Sequence, residues 1–319
     1  MTDPRSLFGV LVRYFTILNI CFDVPTILVI LKFTPQKMLC LAYYLLLILG
    51  WNLLANVLFA FGHIFPVESA NCLILDGPVA GLHRSELIGH LWLGTIFLGA
   101  VNTAAGLFGA LLHRYLAIKR IKTNEQIDRK LSLICFVSLH LVVSGLFILT
   151  YWMSIMPVDS YPFLDNSVLK NDLFCYFPDS FRKLFLCLYL SLVFGLCSVS
   201  VLSFVYLSFY ELNKNKDVMS EQTAKIQRKY LSNLTLFSVF PVVFGGVPLM
   251  FVSISFIFTD SAIHLVGIVC MLVPLDFGPF MCIFSFVMVK PYRNVFLKGF
   301  RRVKVIMGKS VVESSGLSM

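Results

Sequence analysis

Charge is what this sequence is short of. Asp, Glu, Lys and Arg make up only 13% of its 319 residues, about half of what a soluble domain of that length uses to cover its surface. With 58% apolar residues and a mean hydropathy of +0.84, most of the surface must lie out of water. Other absences narrow the chemistry. The chain has no Gly-rich phosphate loop, no His-Glu-x-x-His zinc pattern and no Gly-x-Ser-x-Gly elbow, so common phosphate, zinc and serine chemistries lack their residues. No enzyme activity, cofactor or metal is expected. The six histidines are scattered, with His63, His83 and His90 in or beside one loop, and a solvated or interfacial role suits them better than a metal. No internal repeat, linker or low-complexity stretch appears, which fits one domain and speaks against the repeat-built transporters.

What is present is a series of apolar runs. A membrane-spanning helix needs about 20 predominantly apolar residues, because the hydrocarbon core is roughly 30 Å thick and each residue rises 1.5 Å. Seven stretches qualify: 8–31, 38–61, 87–112, 131–153, 184–210, 231–258 and 263–289. Arg13, Asn19 and Asp23 interrupt the first, but its apolar region is long and no clear cleavage site follows, so it reads as a retained helix. The expected fold is an all-α membrane protein, a seven-transmembrane helix bundle over 1–289 with a cytoplasmic tail over 290–319.

Lys and Arg orient it. The segments 32–37, 113–130, 211–230 and 290–319 carry 20 of the 26 basic residues, and the alternate segments carry 6. The acids lean the other way, including Glu68, Asp76, Glu86, Asp159, Asp165, Asp172, Asp179 and Asp260. The amino terminus is therefore expected outside and the carboxyl terminus inside. The net charge of +9 is a topology device, so no nucleic-acid partner is expected. After the last span, Tyr292, Phe296, Phe300, Val303 and Met307 recur at steps of four, four, three and four, with Lys298, Arg301 and Arg302 on other faces. That pattern reads as a short amphipathic helix on an anionic inner leaflet. No cysteine follows it to carry a palmitoyl anchor.

Of nine cysteines, seven fall in or at the ends of the spans. Cys72 and Cys175 sit in outer loops, which mature in an oxidising lumen. A bridge between them would tie the first outer loop to the second over the mouth of the bundle; the alternative is two free thiols. The single Asn-x-Ser/Thr sequon, Asn233-Leu234-Thr235, lies on the inner side and is expected to stay unmodified.

Polar residues within the spans mark candidate switches. The third span ends His113-Arg114-Tyr115. An arginine there either snorkels to the interface or holds one state through its neighbours and then meets a partner. The segment 219–230, containing Gln227, extends span six as a basic amphipathic helix, and Pro241 and Pro248 lie inside that span, where proline kinks a helix. Asp276 lies about 21 Å and Asp23 about 13 Å from the inner helix ends, counting from Lys290 and Lys32. Carboxylates at such depth are expensive. Asn52 and Asn56 are plausible partners for either, as a static knot between spans one, two and seven or as a switch. Outer-half positions His90, Trp92, Tyr189, Ser253 and Met271 are candidates to line a ligand pocket.

Taken in order, Thr34-Pro35-Gln36-Lys37-Met38, then Ser220-x-x-Thr223-x-x-x-Gln227 with Pro241 and Pro248, then Asp276 with Pro279 and the closing Tyr292-Arg293, the sequence resembles the nematode serpentine chemoreceptors of the Str/Srh/Sri superfamily. The resemblance spans almost the whole chain. It implies a G-protein-coupled receptor in the plasma membrane of sensory cells, in olfaction's cilia, that binds an environmental small molecule and activates a heterotrimeric G protein. Arg114, Tyr115, Gln227, Pro241, Pro248, Asp276, Pro279, Tyr292 and Arg293 would then carry switching and coupling. Two departures stand out: His113 occupies a position where rhodopsin-like receptors usually keep an acid, and Asn56 stands where many relatives have a carboxylate. The competing reading is an odorant-gated ion channel or small transporter with seven spans.

Overall fold

The computed structural model describes residues 4–36, 39–67, 71–82, 85–120, 129–161, 173–178, 181–215, 220–257 and 261–297. Several residues named above lie outside them: Lys37, Met38, Glu68, His83, Asp165, Asp172, Asp179, Met219, Asp260 and the apolar stripe from Phe300 onward, with Lys298, Arg301 and Arg302.

The long apolar runs form helices because each satisfies its own backbone along its length, as lipid requires. The first five spans are α1 (Pro4–Phe33), α2 (Leu39–Gly62), α4 (Glu86–Lys119), α5 (Arg129–Ser154) and α6 (Phe181–Lys214), with a short α3 (Pro78–Leu82) between the second and third. Span six is α7 (Glu221–Pro241), a π-helical turn (Val242–Gly246) and α8 (Val247–Ser255). Span seven is α9 (Ser261–Leu272), a 3₁₀ turn (Val273–Asp276) and α10 (Phe277–Met288), followed by helical residues 290–297. Among the described residues, seven helices are thus long and apolar enough to cross a membrane. Spans three, five and six run beyond their expected ends, to Lys119, to Lys214 and from Glu221, because helical hydrogen bonds continue where the sequence turns polar. Ser220 starts α7, its hydroxyl accepting from the Thr223 N–H at 3.3 Å, a standard way to occupy an orphan donor. Side chains such as Leu141, Leu133, Trp152 and Tyr206 are exposed, as expected of a surface dissolved in lipid.

One element departs from the all-α expectation. The loops at one face form a four-stranded antiparallel sheet, β1 (Ile64–Pro66), β2 (Cys72–Leu75), β4 (Leu173–Tyr176) and β3 (Ile155–Met156), in the order β1-β2-β4-β3. Strands of two to four residues are too short for a period-2 signal, and β2 pairs with a segment about 100 residues away. Cys72 stands directly opposite Cys175 in that pairing, and the two form a disulfide. The approach of β1–β2 to the end of α2 is tight: a Cβ at Gly77 would meet the Phe61 carbonyl oxygen at 2.1 Å. His63 ends α2 with φ of 42°, a left-handed turn in which its carbonyl accepts from Asp76 N–H.

The interior divides into two large apolar clusters. One, toward the sheet, gathers Phe8, Phe59, Phe97, Phe174 and Phe194. The other, toward the opposite, basic face, gathers Ile48, Leu111, Phe237, Met281 and Tyr292.

Candidate ligand cavity and switch

Where spans one, two and seven meet, the sequence places amides and a carboxylate that cannot stay unpaired in a dry bundle. Asn56 donates through Nδ2 to Asn19 Oδ1 and to Asn52 Oδ1, each at 3.0 Å. Asn19 in turn donates to the Phe15 carbonyl at 2.8 Å and to that of Leu275. Asp23, fully buried, accepts from the Cys282 thiol at 3.1 Å. Gly278 makes the convergence possible. A Cβ there would lie 2.3 Å from Asn19 Oδ1, 2.7 Å from Asp23 Oδ2 and 2.8 Å from Asn52 Nδ2. The last two atoms have no hydrogen-bond partner among the described residues. Asp276 takes no part in this network. It sits half-buried at the end of the 3₁₀ turn, and neither Asn52 nor Asn56 hydrogen-bonds either carboxylate among the described residues: Asn56 donates to Asn19 and Asn52, and Asp23 is met by Cys282. Helical phase decides this: Gly278, two residues on, faces spans one and two.

The interruptions of spans six and seven face each other across the bundle. Pro241 and Pro248 bracket the π turn, whose extra residue is a form often seen at functional sites. Pro274 lies in the 3₁₀ turn of span seven, and Pro279 in the first turn of α10, where a missing N–H costs nothing. A partly open cavity of about 130 Å³ lies between them. Pro241, Val242, Gly245 and Gly246 form its span-six wall, and Met271, Pro274 and Leu275 its span-seven wall. Spans two, three and five close it through residues such as Asn52, Asn56, Phe97, Ala100 and Phe194, with Ile64 of β1 above. Its lining draws on both apolar clusters, so the cavity sits at their junction, near mid-bundle. Beyond it, toward the basic face, Phe240 stacks 4.3 Å from Phe284 and 5.3 Å from Phe244, which lies 5.2 Å from Phe280.

At the basic face, side chains tie span six to its neighbours. Arg114 Nη2 on span three donates to Gln227 Oε1 on span six. Asn233 donates to the Met288 carbonyl at 3.2 Å, so the sequon asparagine is a strut between spans six and seven. Tyr292, 1% exposed, shares a 2.8 Å hydroxyl contact with Thr34. It is therefore buried against the end of span one and does not lie on a lipid-facing stripe. The Tyr115 ring is 5.8 Å from that of Phe204, and the Arg293 side chain is exposed.

The five positions expected to line a pocket separate. Met271 lines the cavity, and Ser253 lines a smaller one of about 30 Å³ under the sheet. Trp92 donates to the Leu58 carbonyl at 2.5 Å, and Tyr189 donates to that of Val143 at 2.6 Å. His90 is packed among Tyr151, Phe174 and Tyr176. These three tie spans together and line neither of those walls. Sequence reasoning passed over Ser198, Thr103 and the Gly245-Gly246 pair. The glycine pair between two prolines was the available signal for an irregular turn.

Seven membrane-length helices, two of them broken beside a central cavity, define a multi-pass membrane protein of the seven-span receptor type. Compared with known families, residues 5–302 match the family described as serpentine type 7TM GPCR chemoreceptor Srh. The chain belongs to that family, a chemoreceptor family and not an enzyme family. This narrows the wider Str/Srh/Sri resemblance to one of its members. No curated protein matches the chain.

Proposed function

We propose that this chemoreceptor takes its ligand in the mid-bundle cavity and passes occupancy through span six to a heterotrimeric G protein on the basic face. The observation that carries the reading is that both broken helices contribute their irregular turns to the cavity wall. A ligand shifts a two-state balance only by contacting the two states differently, and a π turn between two prolines is a segment whose register can change. Below it, the Arg114–Gln227 bond ties span six to span three, where it holds the closed state in place of the usual acid–arginine latch. Tyr115, the 211–230 segment, Tyr292 and Arg293 border the face the G protein would meet, with Pro241, Pro248, Asp276 and Pro279 shaping the moving helices. In this reading that face lies in the cytoplasm and the stapled sheet outside, which the bias of Lys and Arg supports, in the plasma membrane of a sensory cell, its cilia included. A channel would need a polar path, and the cavity lining contains no charged side chain.

Terminal tags test the topology: the amino tag should be reached by antibody on intact cells and the carboxyl tag only after permeabilisation. Nucleotide exchange by a reconstituted G protein tests the latch. Gln227→Leu removes this bond and should raise ligand-free exchange about tenfold, the equivalent of about 1.4 kcal/mol of a charge-assisted hydrogen bond. Arg114→Ala should lower it. An amino tag found inside, or no exchange from either protein, would sink the reading.

A further inference from the structure

The cavity's own donor inventory says what it can hold. Its polar side chains are Asn52, Asn56, Thr103, Cys197 and Ser198, and the protons of the last four are committed. Thr103 donates to the Gly99 carbonyl at 2.9 Å, Ser198 to that of Phe194 at 2.8 Å, and Cys197 to that of Ala104 at 3.3 Å. Asn56 spends its amide on Asn19 and Asn52. The Asn52 amide nitrogen has no accessible surface and is turned to Gly278 and Asp23. An anion would therefore meet no free side-chain donor there, and a cation would meet no carboxylate. Either would have to leave water uncompensated, which is prohibitive in a dry site. Size sets the other bound: an engineered apolar cavity of about 150 Å³ stays dry and accepts benzene, and this one is about 130 Å³.

We infer that the ligand held in this cavity is a compact, uncharged, apolar molecule of about six to eight non-hydrogen atoms, gripped by shape and dispersion, whose polar group, when it has one, is a donor. The inference rests on the reading that the cavity is the ligand site. The hydroxyls of Thr103 and Ser198 keep lone pairs after spending their protons, so a ligand hydroxyl finds acceptors. The sheet above fits the same class. Ile64, Leu73 and Phe174, each 1% exposed or less, lie over the bundle on that face, and a molecule soluble in the bilayer has a second route in.

The test uses the full chain in lipid nanodiscs, with empty nanodiscs as the blank for partitioning. Four probes are compared by saturation-transfer NMR: methylcyclohexane, cyclohexanol, cyclohexylammonium and cyclopentanecarboxylate. The first two should bind saturably and compete with each other, and the two ions should be about tenfold weaker or more. Gly245→Leu should abolish the neutral signal, since a Cβ at 245 meets nothing within 4 Å and the longer side chain has the void to fill. Ala100→Leu fills the same cavity from span three, and its agreement guards against a folding artefact, as does an unchanged unfolding midpoint. Saturable binding of either ion at equal strength, or no saturable binding of either neutral probe, would overturn the inference. G-protein exchange on the same nanodiscs separates the two readings. Exchange driven by an ion with no neutral binding would defeat this inference and leave the receptor standing. Neutral binding lost in both filled variants, with no exchange, would do the reverse.

Discussion

The two faces of the bundle are held in different ways. At the sheet face the ties are many and mutually reinforcing. The disulfide joins β2 to β4, Tyr151 donates to the His90 carbonyl at 2.8 Å and meets the Tyr176 hydroxyl at 2.9 Å, Glu86 accepts from the Val158 N–H at 3.2 Å, and Lys183 donates to Asn71 at 3.2 Å. No single bond there carries the arrangement. At the basic face, the links of span six to its neighbours include Arg114–Gln227 and Asn233–Met288, with tilted aromatic packing between them. On the function proposed above, the basic face is the end that moves, because elements that move are drawn from the less stable end of a structure.

Breaking the sheet face should have the largest effect. Cys72→Ser or Cys175→Ser opens a crosslink with a sequence separation of 103, for which chain entropy sets a scale of about 4.7 kcal/mol. Membrane insertion already restricts the unfolded chain, so the loss should fall below that and still lower the unfolding midpoint in detergent by several degrees. The double variant should match either single one. A midpoint unmoved by both substitutions would show that the sheet holds without its staple.

The polar knot between the faces comes next. Gly278→Ala forces a methyl against Asn19, Asp23 and Asn52 and should cost about 1–3 kcal/mol by overpacking. Asn19→Ala removes the nearest clash, so in that background the same change should cost less. A double-mutant cycle in thermal stability measures the coupling, and strict additivity would mean that the strain is relieved elsewhere.

A smaller effect separates the faces by pH. Burial, and then the Arg13 guanidinium, lower the His63 pKa from its ordinary 6.5, against the opposing pull of Asp76. Arg13 Nε also donates to His63 Nε2 at 3.4 Å, which requires a neutral ring. The folded state thus binds the proton less readily than the unfolded one, so the stabilisation is complete above about pH 6.5 and is lost as pH falls through and below that value. His63→Asn, which tolerates the left-handed turn, should flatten the fall in unfolding midpoint between pH 7 and 5.5. An equal fall in both proteins would assign the pH sensitivity to another group.

Reading the amino acids in order went far on some points and stopped on others. The spans, the basic bias and the two loop cysteines were legible because the bilayer imposes length and apolarity on each segment separately. The Arg114–Gln227 contact was half legible: both residues stood out, but nothing linear says that they meet. Trp92, Tyr189 and His90 line neither of the two cavities described, because an aromatic in an outer half-span points either to a pocket or to a neighbouring backbone, and helical phase against six other spans decides which.

Composition and hydropathy by themselves determined that this chain crosses a membrane seven times, and the order of its short motifs pointed to a chemoreceptor family. Those are properties of single segments, set by transfer from water to lipid. The tertiary structure alone decided that Asp23 is buried beside Gly278 and Cys282 while Asp276 is only half-buried, that two short loop segments pair as strands, and that the cavity lies between two broken helices with its hydroxyl and thiol donors already spent. Each of these depends on which side chains from distant segments share one small volume, and lipid, being as apolar as the helices, leaves that choice to packing and hydrogen bonding between them.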